Sequence, residues 1–210
     1  MNMLRKRLLR ALTVILGSGM VLLTGCNNCS LGTDPFTQAA SLEFPLARQN
    51  DVERLSAYGT PNWSGNEPHN GVDLVLYQTL NQTRVIAPAD GKVTAVTVNE
   101  NPFSNPPNQL MVSVKICTTL GWVVDLVFEP GTVNSATKNA QQNAIRVSAG
   151  QQVRAGDDIG DLLVGDLGYA HLHYMVQHRN TSVCPYEYSS DAAKAEFQAI
   201  ADRSGTRPCY

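Results

Sequence analysis

His69-Asn70-Gly71-Val72-Asp73, answered far downstream by His171-Leu172-His173, places four candidate metal ligands in two short stretches. A hydrolytic zinc takes three protein nitrogen or oxygen ligands at about 2 Å and keeps a fourth position open for water. His69, Asp73 and one of the two later histidines make such a set, and spacing does not say which one. Residues i and i+2 of a strand point to one face, so an extended Tyr169–Val176 run lets His171 and His173 look into a single site. His69 and Asp73 are a harder pair, because four extended residues span roughly 13 Å, too far for two short side chains to share an ion. The chain must bend between them, and Asn70-Gly71 is a dipeptide that tolerates positive φ. A lone histidine is commonly a hydrogen-bonded structural residue, but three of the chain's four histidines fall in these motifs and the fourth, His178, lies just beyond the second. That concentration, with an aspartate at a workable spacing, points to a metal.

The elements that would position these residues read as short strands. Val72–Tyr77, Thr83–Ala87, Lys92–Val98, Leu110–Ile116, Trp122–Phe128, Ile145–Val147 and Leu172–Gln177 alternate apolar with polar side chains or run β-branched between turn residues. Asp90-Gly91 is a hairpin signal. Strands of this length, separated by Gly and Asn turns, predict a mainly β domain of antiparallel sheets with no βαβ units. Asn99–Asn108 and Gly131–Asn143 read as surface loops, and Asp191–Arg203 as a C-terminal helix. The expected division is a leader over 1–25, a tether over 26–41, the β domain over 42–183 and a helical extension over 184–210.

Arg5, Lys6, Arg7 and Arg10 precede an apolar run from Ala11 to Leu23, too short to span a bilayer and suited to a signal-peptide core. The run ends Leu23-Thr24-Gly25-Cys26, which resembles a bacterial lipobox, and that resemblance implies lipid on Cys26 and an exported, membrane-anchored protein facing the periplasm or cell wall. Cleavage before Cys26 leaves 12 basic against 18 acidic residues, a net charge of −6, which argues against nucleic-acid binding through a basic patch. About fifteen flexible residues after Cys26 have an r.m.s. span of about 20–25 Å. Of the remaining cysteines, Cys184 and Cys209 are the expected bridge, since it closes a loop around the C-terminal helix, while Cys29 and Cys117 are left open.

The order H-x-G-x-D, then V-x-A-P-x-D-G-x-V over Val85–Val93, then G-x-x-V-x-x-G-x-x-I-G over Gly150–Gly160, then H-L-H-Y resembles the M23 family of zinc metallopeptidases, of the LytM or lysostaphin type. The resemblance covers Ser56–Gln177. It implies a lysostaphin-like β domain built on a duplicated hybrid motif, a groove, one Zn2+ on His69, Asp73 and His173, His171 beside the attacking water, and hydrolysis of peptidoglycan peptides. Where the family carries a further histidine in a Y-x-H-L strand, this chain reads Asp125-Leu126-Val127-Phe128-Glu129-Pro130, and Glu129 stands at the aligned position. A glutamate there can serve as general base. The alternative expectation is an inactive M23-like domain that binds peptidoglycan or regulates a partner cell-wall hydrolase; a third is a metal site that serves structure alone.

Overall fold

The structure, a computed structural model, describes Cys29 and residues 41–61, 67–102, 104–118 and 122–210. The leader, the lipobox-like Leu23-Thr24-Gly25-Cys26 and most of the expected tether lie outside the described residues. No described helix is long and apolar enough to cross a membrane.

Alternation of side chains dictates the main layer. Strands β1 (Val52–Ser56), β2 (Val72–Leu76), β3 (Gln82–Ile86), β4 (Gly91–Asn101), β5 (Gln109–Thr118), β6 (Trp122–Glu129), β7 (Gln152–Val153), β8 (Asp158–Leu163), β9 (His171–His178) and β10 (Thr181–Val183) are joined by short turns. One sheet runs β1-β2-β9-β6-β5-β4-β7, with every neighbouring pair antiparallel, and β10 also pairs with β9. The strands β3 and β8 form a separate antiparallel pair. The protein is therefore mainly β and antiparallel, as its patterning predicts.

In β9, Leu172, Tyr174 and Val176 are fully buried, and in β6 so are Val124, Leu126 and Phe128. They belong to one core that also takes in Ile159 and Leu162 of β8. Burying each such side chain stabilises by roughly 1.5–3 kcal/mol. The intervening residues, His171, His173, Val127 and Glu129, point to the opposite, partly exposed face. A single sheet thus divides its residues between a core and a functional surface.

Helix α2 (Asp191–Ser204) closes the core through Phe197, Ile200 and Ala201, and the Phe197 ring meets Phe44 edge-on at 4.9 Å. The Ser190 hydroxyl caps its first turn by accepting from the Ala193 amide, and Gly205, at φ +68°, ends it in the left-handed conformation. The residues after 183 share the core of the strands before them.

Three expectations are corrected. Gly131–Asn143 is not only loop, because α1 (Ser135–Asn143) occupies its second half. The Asn134 side chain accepts from the amides of Ala136 and Thr137, and fully buried Gln141 bonds the backbone of Asp161 and Leu163. An amphipathic-pattern search misses a helix whose buried side chain is an amide. Asp90-Gly91 joins β3 to β4 without pairing them, since β3 pairs with β8; a Cβ on Gly91 would clash with the Cys117 carbonyl oxygen. Ile145–Val147 contributes one bridge, Ile145 to Gly160, and no strand.

Two disulfides staple the chain. Cys184 is bonded to Cys209, and Cys29 to Cys117 of β5. The second bond amends the picture of a free spacer over 26–41, because residue 29 is tied directly to the sheet.

Candidate metal centre

Strand register builds the site. Asp73 of β2 pairs with His173 of β9, which pairs with Val127 of β6; one row along, Val75 pairs with His171 and His171 with Glu129. Directly opposed residues of antiparallel strands have Cβ atoms about 4.5–5.5 Å apart, so the two rows stack Asp73, His173, His171 and Glu129 on one patch. His69 joins from the segment before β2, where the chain bends at Gly71.

His69 Nε2 lies 3.1 Å from Asp73 Oδ1 and 3.2 Å from His173 Nδ1, and that Nδ1 lies 2.8 Å from Asp73 Oδ1. The three ligand atoms fall within 4.8 Å of one another, and no fourth described His, Cys, Asp or Glu joins them. His69 Nδ1 is 2.9 Å from the Ala57 carbonyl oxygen, which can only accept. Nδ1 therefore donates to Ala57, which turns Nε2 toward the centre, the usual outer arrangement of a metal-bound histidine. The protons that His69 Nε2 and His173 Nδ1 direct at Asp73 are the ones that a cation would displace.

Burial alone would raise the carboxyl of Asp73, but the hydrogen bonds from His173 and His69 outweigh it and hold the group far below the usual carboxylate range. Desolvation pulls His69 down while the bond and charge of Asp73 pull it up, with a net rise. Asp73 is thus held ionised, and two nitrogens with one carboxylate oxygen, all 13–19% exposed, form a donor set that could hold a divalent metal cation.

His171 is not one of the converging three. Its Nε2 lies 3.4 Å from Glu129 Oε2, with the two side chains 22% and 21% exposed. Burial disfavours its imidazolium, yet the hydrogen bond and charge of Glu129, with a contribution from Asp73, push it up to about 9. The face therefore carries a three-atom ligand cluster beside a carboxylate–imidazolium pair, a combination able to bind a cation and move a proton. His178 stands apart, with its ring stacked on Trp122 at 4.3 Å.

Three contributors escaped the sequence reading. Ala57 acts through its carbonyl, for which no side-chain signal exists. Gly71 is not at positive φ, contrary to expectation; a Cβ there would meet His173 Cε1 and Nε2 and the Tyr174 carbonyl oxygen, each at 2.8 Å. The glycine makes room for the ligand ring. The third, Asp125, is buried on the functional face, accepting a 2.5 Å hydrogen bond from Ser113 and paired with Lys115 at 3.6 Å.

The family profile of Peptidase family M23 matches residues 67–185, which span β2 through β10 and every residue of the cluster. The chain belongs to peptidase family M23. Its mainly β architecture is that of the lysostaphin-like M23 domain. Among solved structures, one assigned to peptidase M23 from Pseudomonas aeruginosa is 21% identical, with TM-score 0.41, covering 71% of this chain and 54% of its own. One assigned as a glycyl-glycine endopeptidase LytM from Ruminococcus gnavus is 15% identical, with TM-score 0.44, covering 81% of this chain and 63% of its own. This M23 chain thus spans less than two thirds of either protein's length. A comparison with curated protein sequences finds no match.

Proposed function

We propose that this M23 protein is a membrane-anchored zinc metallopeptidase that hydrolyses peptide bonds in peptidoglycan. The observation that supports this best is the convergence of His69 Nε2, Asp73 Oδ1 and His173 Nδ1 with no fourth described ligand, since a purely structural zinc is closed by four protein groups. Zinc held there supplies Lewis acidity and lowers the pKa of a bound water toward about 7.

The chain's own residues supply the rest. Glu129 Oε2 accepts the proton of the attacking water and returns it to the leaving amine nitrogen, so the carboxylate is regenerated. His171, charged through the Nε2–H that it directs at Glu129, places its positive charge beside the oxygen of the carbonyl under attack, where negative charge develops. Opposed pairing on β6 and β9 fixes the two side chains relative to each other, and the β2–β9 pairing fixes His171 relative to the ligands.

A second reading is a zinc-binding M23 relative without turnover that binds peptidoglycan or regulates a cell-wall hydrolase. It is favoured by Glu129 standing where the family motif carries a histidine and being engaged by His171. The discriminating assay is release of peptides from purified peptidoglycan and from glycine-rich and cross-linked peptides, with wild type, Glu129→Gln, His171→Ala and a chelated control. The enzyme reading expects cleavage by wild type and a loss of about 10²-fold or more in both variants with zinc retained. Retention on intact peptidoglycan without cleavage of any substrate would replace it with the second reading. Anchoring rests on Leu23-Thr24-Gly25-Cys26, and mass spectrometry of the mature N-terminus checks it: the expected species begins at a lipidated Cys26.

A further inference from the structure

Cys29 is bonded to Cys117 with 5.6 Å between their Cα atoms, and its sulfur lies 3.4 Å from the Trp122 carbonyl oxygen. Cys117 pairs with Val123 of β6, and Val123 with Gln177 of β9; four residues earlier on β5, Ser113 pairs with Val127, the partner of His173. Side chains four apart on a strand share a face, so the bridge leaves the sheet from the face that carries the ligands. Four residues along and two strands across place it roughly 16 Å from the metal centre.

Cys26 precedes Cys29 by three residues, which reach no more than about 11 Å when fully extended. We propose that the Cys29–Cys117 bridge clamps the domain against the bilayer that holds the lipid of Cys26, with the Cys117 end of the ligand-bearing face beside the headgroups. The proposal rests on the anchored-lipoprotein reading above. With the bridge closed, the metal centre stays within roughly 30 Å of the lipid surface and meets peptides of the membrane-proximal layer. Opening the bridge removes that limit, since the domain is then tied to Cys26 only through the fifteen residues up to residue 41, whose extended reach is at most about 54 Å.

The test uses the full lipoprotein, purified from membranes and reconstituted in vesicles of phosphatidylethanolamine and phosphatidylglycerol whose headgroups carry an energy-transfer acceptor. A donor dye is placed through an encoded unnatural amino acid at exposed Lys92, which pairs with Cys117, or at exposed Asn139 of α1. Helix α1 packs by the far end of β5, where Lys138 bonds the Asn108 carbonyl, about 30 Å along the strand from Cys117. The expected result is markedly stronger transfer from position 92 than from position 139, and loss of that difference in Cys29→Ser/Cys117→Ser. Equal transfer from both positions in the wild type would overturn the proposal while leaving the anchor intact. A mature N-terminus without lipid on Cys26, read by mass spectrometry of the same sample, would overturn the anchored reading and this proposal together.

Discussion

Each ligand in the centre depends on a partner that holds it. His69 is aimed by the Ala57 carbonyl, His173 by the space above Gly71, and Asp73 by the two histidines that keep it ionised. Purified mature protein is expected to hold about one zinc per chain, and His69→Ala, Asp73→Ala and His173→Ala each to lose it, as read by elemental analysis. Gly71→Ala tests the cradle. Two of the atoms that its methyl would meet belong to the His173 ring and one to the backbone, so neither side yields without moving a ligand. The expected outcome is a zinc affinity lower by about 10–100-fold, the range for disturbed outer contacts, measured by competition with a chromophoric chelator. A fold that survives with unchanged affinity would remove Gly71 from the site.

At the scale of elements, pairing of β2, β9 and β6 turns residues from distant segments into neighbours, and pairing of β5 with β6 carries a buried charge beside them. Asp125 lies there because Asp125 and Lys115 are opposed in register. Desolvation raises its pKa above the ordinary 3.8, and the Ser113 hydroxyl and Lys115 only partly offset that. A carboxyl with a raised folded pKa contributes stability that is fully present below about 3.8 and is lost as pH climbs through the folded value. Asp125→Asn keeps an acceptor for Ser113 and removes the titration. The variant is expected to lose that part of the downward slope of stability with rising pH, checked by denaturant unfolding across pH 3.5–7. An unchanged slope would show that Asp125 titrates as it does in the unfolded chain.

Across the whole molecule, the C-terminal segment reaches back to the strip that orients His69 in the candidate metal centre. The Tyr58 amide bonds the Pro208 carbonyl and the Tyr210 amide bonds the Tyr58 carbonyl, so residues 208–210 flank the strip that contains Ala57, while Gly59 and Thr60 exchange backbone hydrogen bonds with His69. Cys184–Cys209 pins that strip to the end of β10, closing a separation of 25 residues, worth about 3 kcal/mol on the chain-entropy account. Cys184→Ser/Cys209→Ser is expected to lower the unfolding free energy by about that amount and to weaken zinc binding, because the strip that orients His69 loses its backing. Calorimetry and zinc titration of the same variant separate the two effects. A drop in stability with zinc affinity untouched would leave the bridge a purely global staple.

Period-two alternation along β2, β6 and β9 is a local property, so the strands, their buried faces and the candidate ligands were legible from residue order. The motif resemblance singled out His173 as the expected ligand, something that spacing cannot supply because His171 and His173 share a face, and His173 is the one that joins the cluster with His69 and Asp73. Helix α1 was not legible, since its buried contact is the Gln141 amide bonding β8 and carries no apolar period. The partner of β3 was not legible either: a turn dipeptide reports a local bend, whereas pairing with β8 depends on where the rest of the chain lies. Strand order, the use of the Ala57 carbonyl, the role of Gly71 as clearance and the pairing of Cys29 with Cys117 were decided by tertiary structure alone. Each is a contact between segments far apart in sequence, and a hydrogen bond, a clash or a disulfide exists only once the sheet has brought them within a few ångströms.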